Sequence, residues 1–137
     1  MFSGIPFKNL NPLGFFTKIK LFFKEEYFKS PVAKWLVISG LVANLADWLA
    51  LRLFLRPVTD TVIIHYNVYF GVDMIGDPDQ AYWLPTIGLI LFSINFLFSI
   101  YFYAKKERIA THILLMASLM IQLSLMVAIA SVIIINY

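Results

Sequence analysis

Three long apolar runs with short polar interruptions set the pattern of this chain. The first, residues 33–55, reads "AKWLVISGLVANLADWLALRLFL". The second, residues 83–104, and the third, residues 109–135, carry no Asp, Glu, Lys or Arg. At about 1.5 Å per residue each run can cross a hydrocarbon core of about 30 Å. Inside lipid every backbone amide needs an internal partner, and an isolated span supplies one only as a helix. The pattern therefore predicts an all-α integral membrane protein with three transmembrane helices. Residues 1–32 read differently. In "LGFFTKIKLFFKEEYFK" the side chains of Phe15, Phe16, Ile19, Phe22, Phe23 and Tyr27 share one helical arc, with Lys18, Lys20, Lys24, Glu25 and Lys29 opposite. That spacing predicts an N-terminal amphipathic interfacial helix, a disordered basic tail being the alternative. The lysines, and the lack of a small-residue cleavage site after them, argue against a removed signal. The expected organisation is a cytoplasmic segment over 1–32 and a membrane domain over 33–137, with an outer loop at 56–82.

Composition agrees with a lipid solvent. Of 137 residues 61% are hydrophobic and 14% charged, against about 25% charged in ordinary soluble domains, and mean hydropathy is +0.80. With no cysteine, disulfides, thiolate metal sites and cysteine nucleophiles are excluded. The charges are segregated. Lys8, Lys18, Lys20, Lys24, Lys29 and Lys34 precede the first span, and Lys105, Lys106 and Arg108 join the second to the third. The connection from Val58 to Tyr82 has Asp60, Asp73, Asp77 and Asp79 and no Lys or Arg. Retention of positive charge on the cytoplasmic side predicts a cytoplasmic-membrane protein with its N-terminus inside and its C-terminus outside. Trp35, Tyr82 and Trp83 suit the interfaces. Basic residues interleaved with phenylalanine point to a bilayer, not to nucleic acid.

Polar residues inside the spans are the first candidates for chemistry. Ser39, Gly40, Ala43, Asn44, Ala46, Asp47 and Ala50 fall within an arc about 160° wide on the first helix. The second span offers Gly88, Asn95 and Ser99 on one stripe. The third offers Ser118 with Gln122, and Ala110, Ala117, Ser124 and Ser131 on another stripe. By rise per residue Asn44, Asp47, Asn95 and Gln122 lie roughly 14–20 Å from the inner ends of their helices, a depth at which they can meet. Two roles are open to them. Either the groups glue helices together, or Asp47 is the titrating member of a proton- or ligand-responsive centre, as intramembrane carboxylates often are. Arg52 lies about 140° from Asp47 around the helix, so it is expected to snorkel outward with Arg56, and Arg56 can pair with Asp60.

The loop "TVIIHYNVYFGVDMIGD", residues 61–77, holds the second set. Its Val, Ile, Tyr and Phe favour extended backbone, while Gly71, Gly76 and Pro78 punctuate the stretch leading to the second span. We read a short extended segment or turn on the outer surface, with Asp77 or Asp79 capping the second span and Pro78 in its first turn. His65 and Asp73 are ordinary metal-ligand types, but no second histidine is near, and His112 belongs to the opposite side. No metal or cofactor is expected, and the absence of a loop serine argues against a hydrolytic dyad. His65, Tyr66, Asn67 and Asp73 form a candidate recognition loop able to receive an extracytoplasmic peptide or protein.

The order Ile63, His65, Tyr66, Asn67, Gly71, Asp73, followed by Leu84 and Pro85 at the second span, resembles a domain of unknown function in immunity membrane proteins of the sporulation-delaying-peptide system. The resemblance covers about residues 35–105. It implies a bacterial cytoplasmic-membrane protein whose outer loop senses or binds something outside. The expected function is that of a non-enzymatic accessory, recognition or immunity-type component, contacting the bilayer and a homo-oligomer or larger membrane complex. The alternative is a subunit of an oligomeric transporter lined by Asn44, Asp47, Asn95 and Gln122.

Overall fold

The computed structural model describes residues 27–55 and 61–137. Residues 1–26 of the expected amphipathic helix and the Arg56–Asp60 pair lie outside these residues; the end of that helix, Tyr27–Lys29, is a single 3-10 turn with Tyr27 buried against the bundle. Three helices cross the molecule: α1 (Pro31–Phe54), α2 (Trp83–Ala104) and α3 (Arg108–Ile135). Each is long and apolar enough to span a membrane. Between α1 and α2 the connecting loop folds into an antiparallel hairpin of β1 (Val62–Asn67) and β2 (Gly71–Gly76). The extended backbone expected there is thus paired, and the helical architecture gains a two-stranded appendage.

Local chemistry explains the element ends. Ser30 caps α1, its Oγ accepting from the Ala33 amide at 3.4 Å, with Pro31 in the first turn. Asp77 stands at the head of a single 3-10 turn, Pro78–Tyr82, leading into α2. The sequence assigns that aspartate a side-chain cap, and here the structure differs: its carboxylate makes no capping bond. Its backbone carbonyl accepts from the Gln80 amide at 2.9 Å instead, as the tighter 3-10 turn requires. Asp79 lies in that turn's first residues and also makes no cap.

The connection from α2 to α3 is a Schellman turn. The Glu107 amide donates to Phe102 O and the Lys106 amide to Tyr103 O, both at 2.9 Å, the paired bonds that close a helix C-terminus. The residue between usually is glycine, because it adopts the left-handed conformation. Lys106 holds it here at φ 65°, so this short turn keeps a positive charge at some backbone cost.

Packing divides into two apolar clusters with a polar layer between them. At the end away from the hairpin Tyr27, Ala33, Val37, Phe92 and Leu115 are buried together. At the hairpin end Leu51, Ala81, Ile129 and Val132 are. The remaining large side chains, among them Leu41, Leu45, Ile90, Leu97, Met116 and Val127, point outward, as lipid-facing positions must. The small-residue stripe of α3 belongs there too: Ala117, Ser124 and Ser131 are exposed, and both serines bond back to their own helix.

The hairpin is tied to α3 by Asn136. Its Oδ1 accepts from the Ile63 amide at 2.8 Å, and its Nδ2 donates to Ile63 O at 2.7 Å and to Val132 O at 2.8 Å. One side-chain amide thus pairs with β1 as a neighbouring strand would, satisfying an edge that a two-stranded sheet leaves open. Asn136→Leu is expected to speed exchange of the Ile63 amide roughly tenfold, the loss of about one net hydrogen bond. Helical circular dichroism should stay unchanged. Hydrogen exchange read by mass spectrometry checks this, and unaltered protection of Ile63 would show that β2 alone holds the strand.

Candidate functional site

Midway along the bundle the helices approach at Gly88. A Cβ placed on that glycine would lie 2.7 Å from Leu125 Cδ1, 2.8 Å from Gln122 Oε1 and 3.2 Å from Asn44 Nδ2. The missing side chain opens the α2 backbone to two amides. Asn44 Nδ2 donates to Pro85 O at 2.9 Å and to Gln122 Oε1 at 3.2 Å. Gln122 Nε2 donates to Gly88 O at 2.8 Å. All three helices are therefore joined in one buried knot. Such bonds contribute about 0.6 kcal/mol each inside a membrane, so the knot is worth on the order of 2 kcal/mol.

Asp47 and Asn95 stand outside the knot. Asn95 is only half-buried, and Phe92 takes the packed position instead, with its ring against Gly40. Asn95 also lies about 10 Å along α2 from Gly88, counted by rise per residue, so it cannot share a layer with Asn44 and Gln122. The expected four-residue centre reduces to a pair. Asp47 is fully buried, and neither carboxylate oxygen has a hydrogen-bond partner. The same holds for the Ser118 hydroxyl. Arg52 is exposed and forms no ion pair with it among the described residues.

A second polar cluster, of which the sequence pattern singles out Ser99 but not its partners, closes the end away from the hairpin. Ser99 Oγ donates to Phe96 O at 2.7 Å, so the Tyr27 hydroxyl, 2.6 Å away, donates to Ser99. Thr111 Oγ1 lies 3.2 Å from Ser99 O and 3.1 Å from Glu107 O. Burial pushes the Tyr27 phenol above its usual value, with the Ser99 bond opposing, so it stays neutral and able to donate. His112 Nδ1 lies 2.6 Å from the Arg108 carbonyl. A carbonyl only accepts, so Nδ1 carries the proton, and in the neutral ring Nε2 accepts from Ser30 Oγ at 3.4 Å.

In the hairpin the flanking pairs Val62–Gly76, Ile63–Ile75, Tyr66–Val72 and Asn67–Gly71 set a register that brings residues 65 and 73 face to face. A local irregularity shifts the His65 backbone toward Met74, yet His65 Nδ1 and Asp73 Oδ1 meet at 2.7 Å on the exposed surface. Asn67 Oδ1 accepts from the Tyr69 amide at 2.8 Å, an Asx turn, and Gly71 at φ 80° completes the reversal. Asn67 is therefore a turn former, and Tyr66 is exposed beside it. No cluster of three metal-ligating side chains occurs among the described residues. Asn136, the single side-chain amide after Gln122, is the sequence signal that marks the hairpin anchor.

Fold and site together define a three-helix integral membrane protein, pinned at its centre by an amide knot and carrying a β-hairpin at one end. No family model matches the chain, and neither a curated protein nor a solved structure is detectably similar to it.

The knot gives a graded expectation. Gln122→Leu should cost about 1–2 kcal/mol of bundle stability by stranding Asn44 and the Gly88 carbonyl. Gly88→Ala should cost about 2 kcal/mol or more, because the added methyl meets Gln122 Oε1 and Asn44 Nδ2, both fixed by hydrogen bonds, as well as Leu125 Cδ1. Asn95→Leu should stay within about 0.5 kcal/mol. Reversible unfolding in mixed micelles measures all three, and an Asn95→Leu loss equal to that of Gln122→Leu would contradict the arrangement.

Proposed function

We propose that the protein is a non-enzymatic recognition component of a bacterial cytoplasmic membrane. In this reading its hairpin faces outside and captures an extracytoplasmic peptide or protein. One observation carries it: Val68, Tyr69 and Phe70 at the hairpin tip are 85%, 91% and 87% exposed. Three large apolar side chains projecting from a turn are unusual unless something covers them. The Asx turn, Gly71 and Asn136 hold that tip in one conformation, which lowers the entropy lost on binding. Behind it the His65–Asp73 pair leaves imidazole Nε2 available for orientation and specificity. The His-aromatic-Asn order and its resemblance to immunity membrane proteins support the same role. A transport subunit is the second reading, favoured by the unpartnered carboxylate of Asp47; the closed bonds of Asn44 and Gln122 weigh against a polar conduit.

Orientation rests on charge. Lys29, Lys34, Lys105, Lys106 and Arg108 gather at one end of the bundle, while Asp73, Asp77 and Asp79 gather at the hairpin end, which favours a basic end inside. An impermeant thiol reagent on intact cells should label Asp73→Cys and Tyr137→Cys but spare Glu107→Cys. The opposite pattern would invert the topology.

Capture is tested with a photoreactive phenylalanine at Tyr69 and, as a control, at the equally exposed Tyr137. Protein adducts at position 69, absent at 137 and reduced at least fivefold by His65→Ala or Asp73→Ala, are expected. Adducts to lipid alone would make the tip a membrane anchor and end the recognition reading.

A further inference from the structure

On the hairpin half of the bundle a groove of about 290 Å³ runs between α1 and α3, lined by Ala46, Asp47 and Ala50 on one side and by Met126, Ile129 and Ala130 on the other. We propose that this groove binds a small amphiphilic monocation, a primary alkylammonium, whose N–H groups donate to the Asp47 carboxylate. The inference does not depend on the hairpin. Asp47 is the sole polar side chain among the described residues of the lining. It is fully buried, and both its oxygens lack a partner. A carboxylate left so in an apolar medium is costly, and the neighbouring amides cannot relieve it, because Asn44 and Gln122 are directed to the α2 carbonyls.

The remaining chemistry narrows the occupant. Two acceptor oxygens ask for N–H donors, which a primary ammonium has and a quaternary one lacks. A divalent ion needs several oxygen ligands, and the groove supplies one carboxylate. The other lining atoms are hydrocarbon or thioether, suited to an alkyl chain. The volume matches a small molecule, not a transmembrane helix. Entry is lateral: Ala130 is exposed on the lipid face and Ala46 and Ala50 are half-buried, so an amphiphile already in the bilayer slides in beside short side chains. Met126, long and unbranched, is the lining residue best able to move aside.

The test uses the full chain in lipid nanodiscs and radiolabelled n-octylammonium, read by scintillation proximity against protein-free discs. Saturable one-site binding is expected. Octyltrimethylammonium and n-octanol should each compete at least tenfold more weakly. Asp47→Asn should weaken binding at least tenfold, and Ala130→Phe should abolish it by filling the groove while leaving the carboxylate in place. Both variants are compared by size-exclusion profile and helical circular dichroism, and if Asp47→Asn fails to fold, Ala130→Phe decides alone. Absence of saturable binding to the wild-type chain, wild-type affinity in Ala130→Phe, or n-octanol competing as well as the amine would overturn the assignment.

Discussion

The close approach of three helices at Gly88 is the constraint on which the rest of this structure depends. In a bilayer the hydrophobic effect does not drive helix against helix, because lipid tails are as apolar as leucine. What holds such a bundle is van der Waals contact and the few hydrogen bonds that cross between helices. Here those bonds run from the side-chain amides of Asn44 and Gln122 to the carbonyls of Pro85 and Gly88. They form only because position 88 has no side chain. The apolar clusters on either side then take up the register that this layer imposes.

The knot also explains what is left over. Asn44 and Asp47 share one face of α1, three residues apart, yet only the asparagine is bonded. Asn44 finds backbone acceptors opened by Gly88. Asp47, a turn further out, meets Ile129 and Ala130 of α3, which have no donor to give. Two polar residues of similar size therefore end differently, one bonded across helices and one without a partner, because of what stands opposite each.

At the two ends the bundle is closed by different means. The end away from the hairpin uses hydroxyls: Tyr27 donates to Ser99 Oγ, and Thr111 Oγ1 reaches the Ser99 and Glu107 carbonyls. The hairpin end uses a peptide mimic, Asn136, to hold two strands that would be marginal alone. This anchor turns a flexible connection into a fixed projection, and it is why the tip at Val68–Phe70 can be treated as a surface and not a tether.

The sequence by itself determined the membrane solvent, the three helices, the extended character of the loop at 61–77 and the small polar face of α1. Hydrophobic run length, charge segregation and β-branched content are properties of short windows, and each has a physical cause that needs no distant partner. Asn44, Gln122, His65 and Asp73 were legible as candidates because polar groups are conspicuous in apolar surroundings. Which of them meet was decided only by tertiary structure. Helical spacing put Asn95 on a usable stripe, but the axial offset between antiparallel helices left it in another layer. Tyr27 and Thr111 look unremarkable in the chain, and Asn136 stands out only as a late amide whose partner lies 73 residues away. The isolation of Asp47 is likewise a fact about its neighbours: a carboxylate announces its cost in any sequence, and only the packed bundle reveals that nothing answers it.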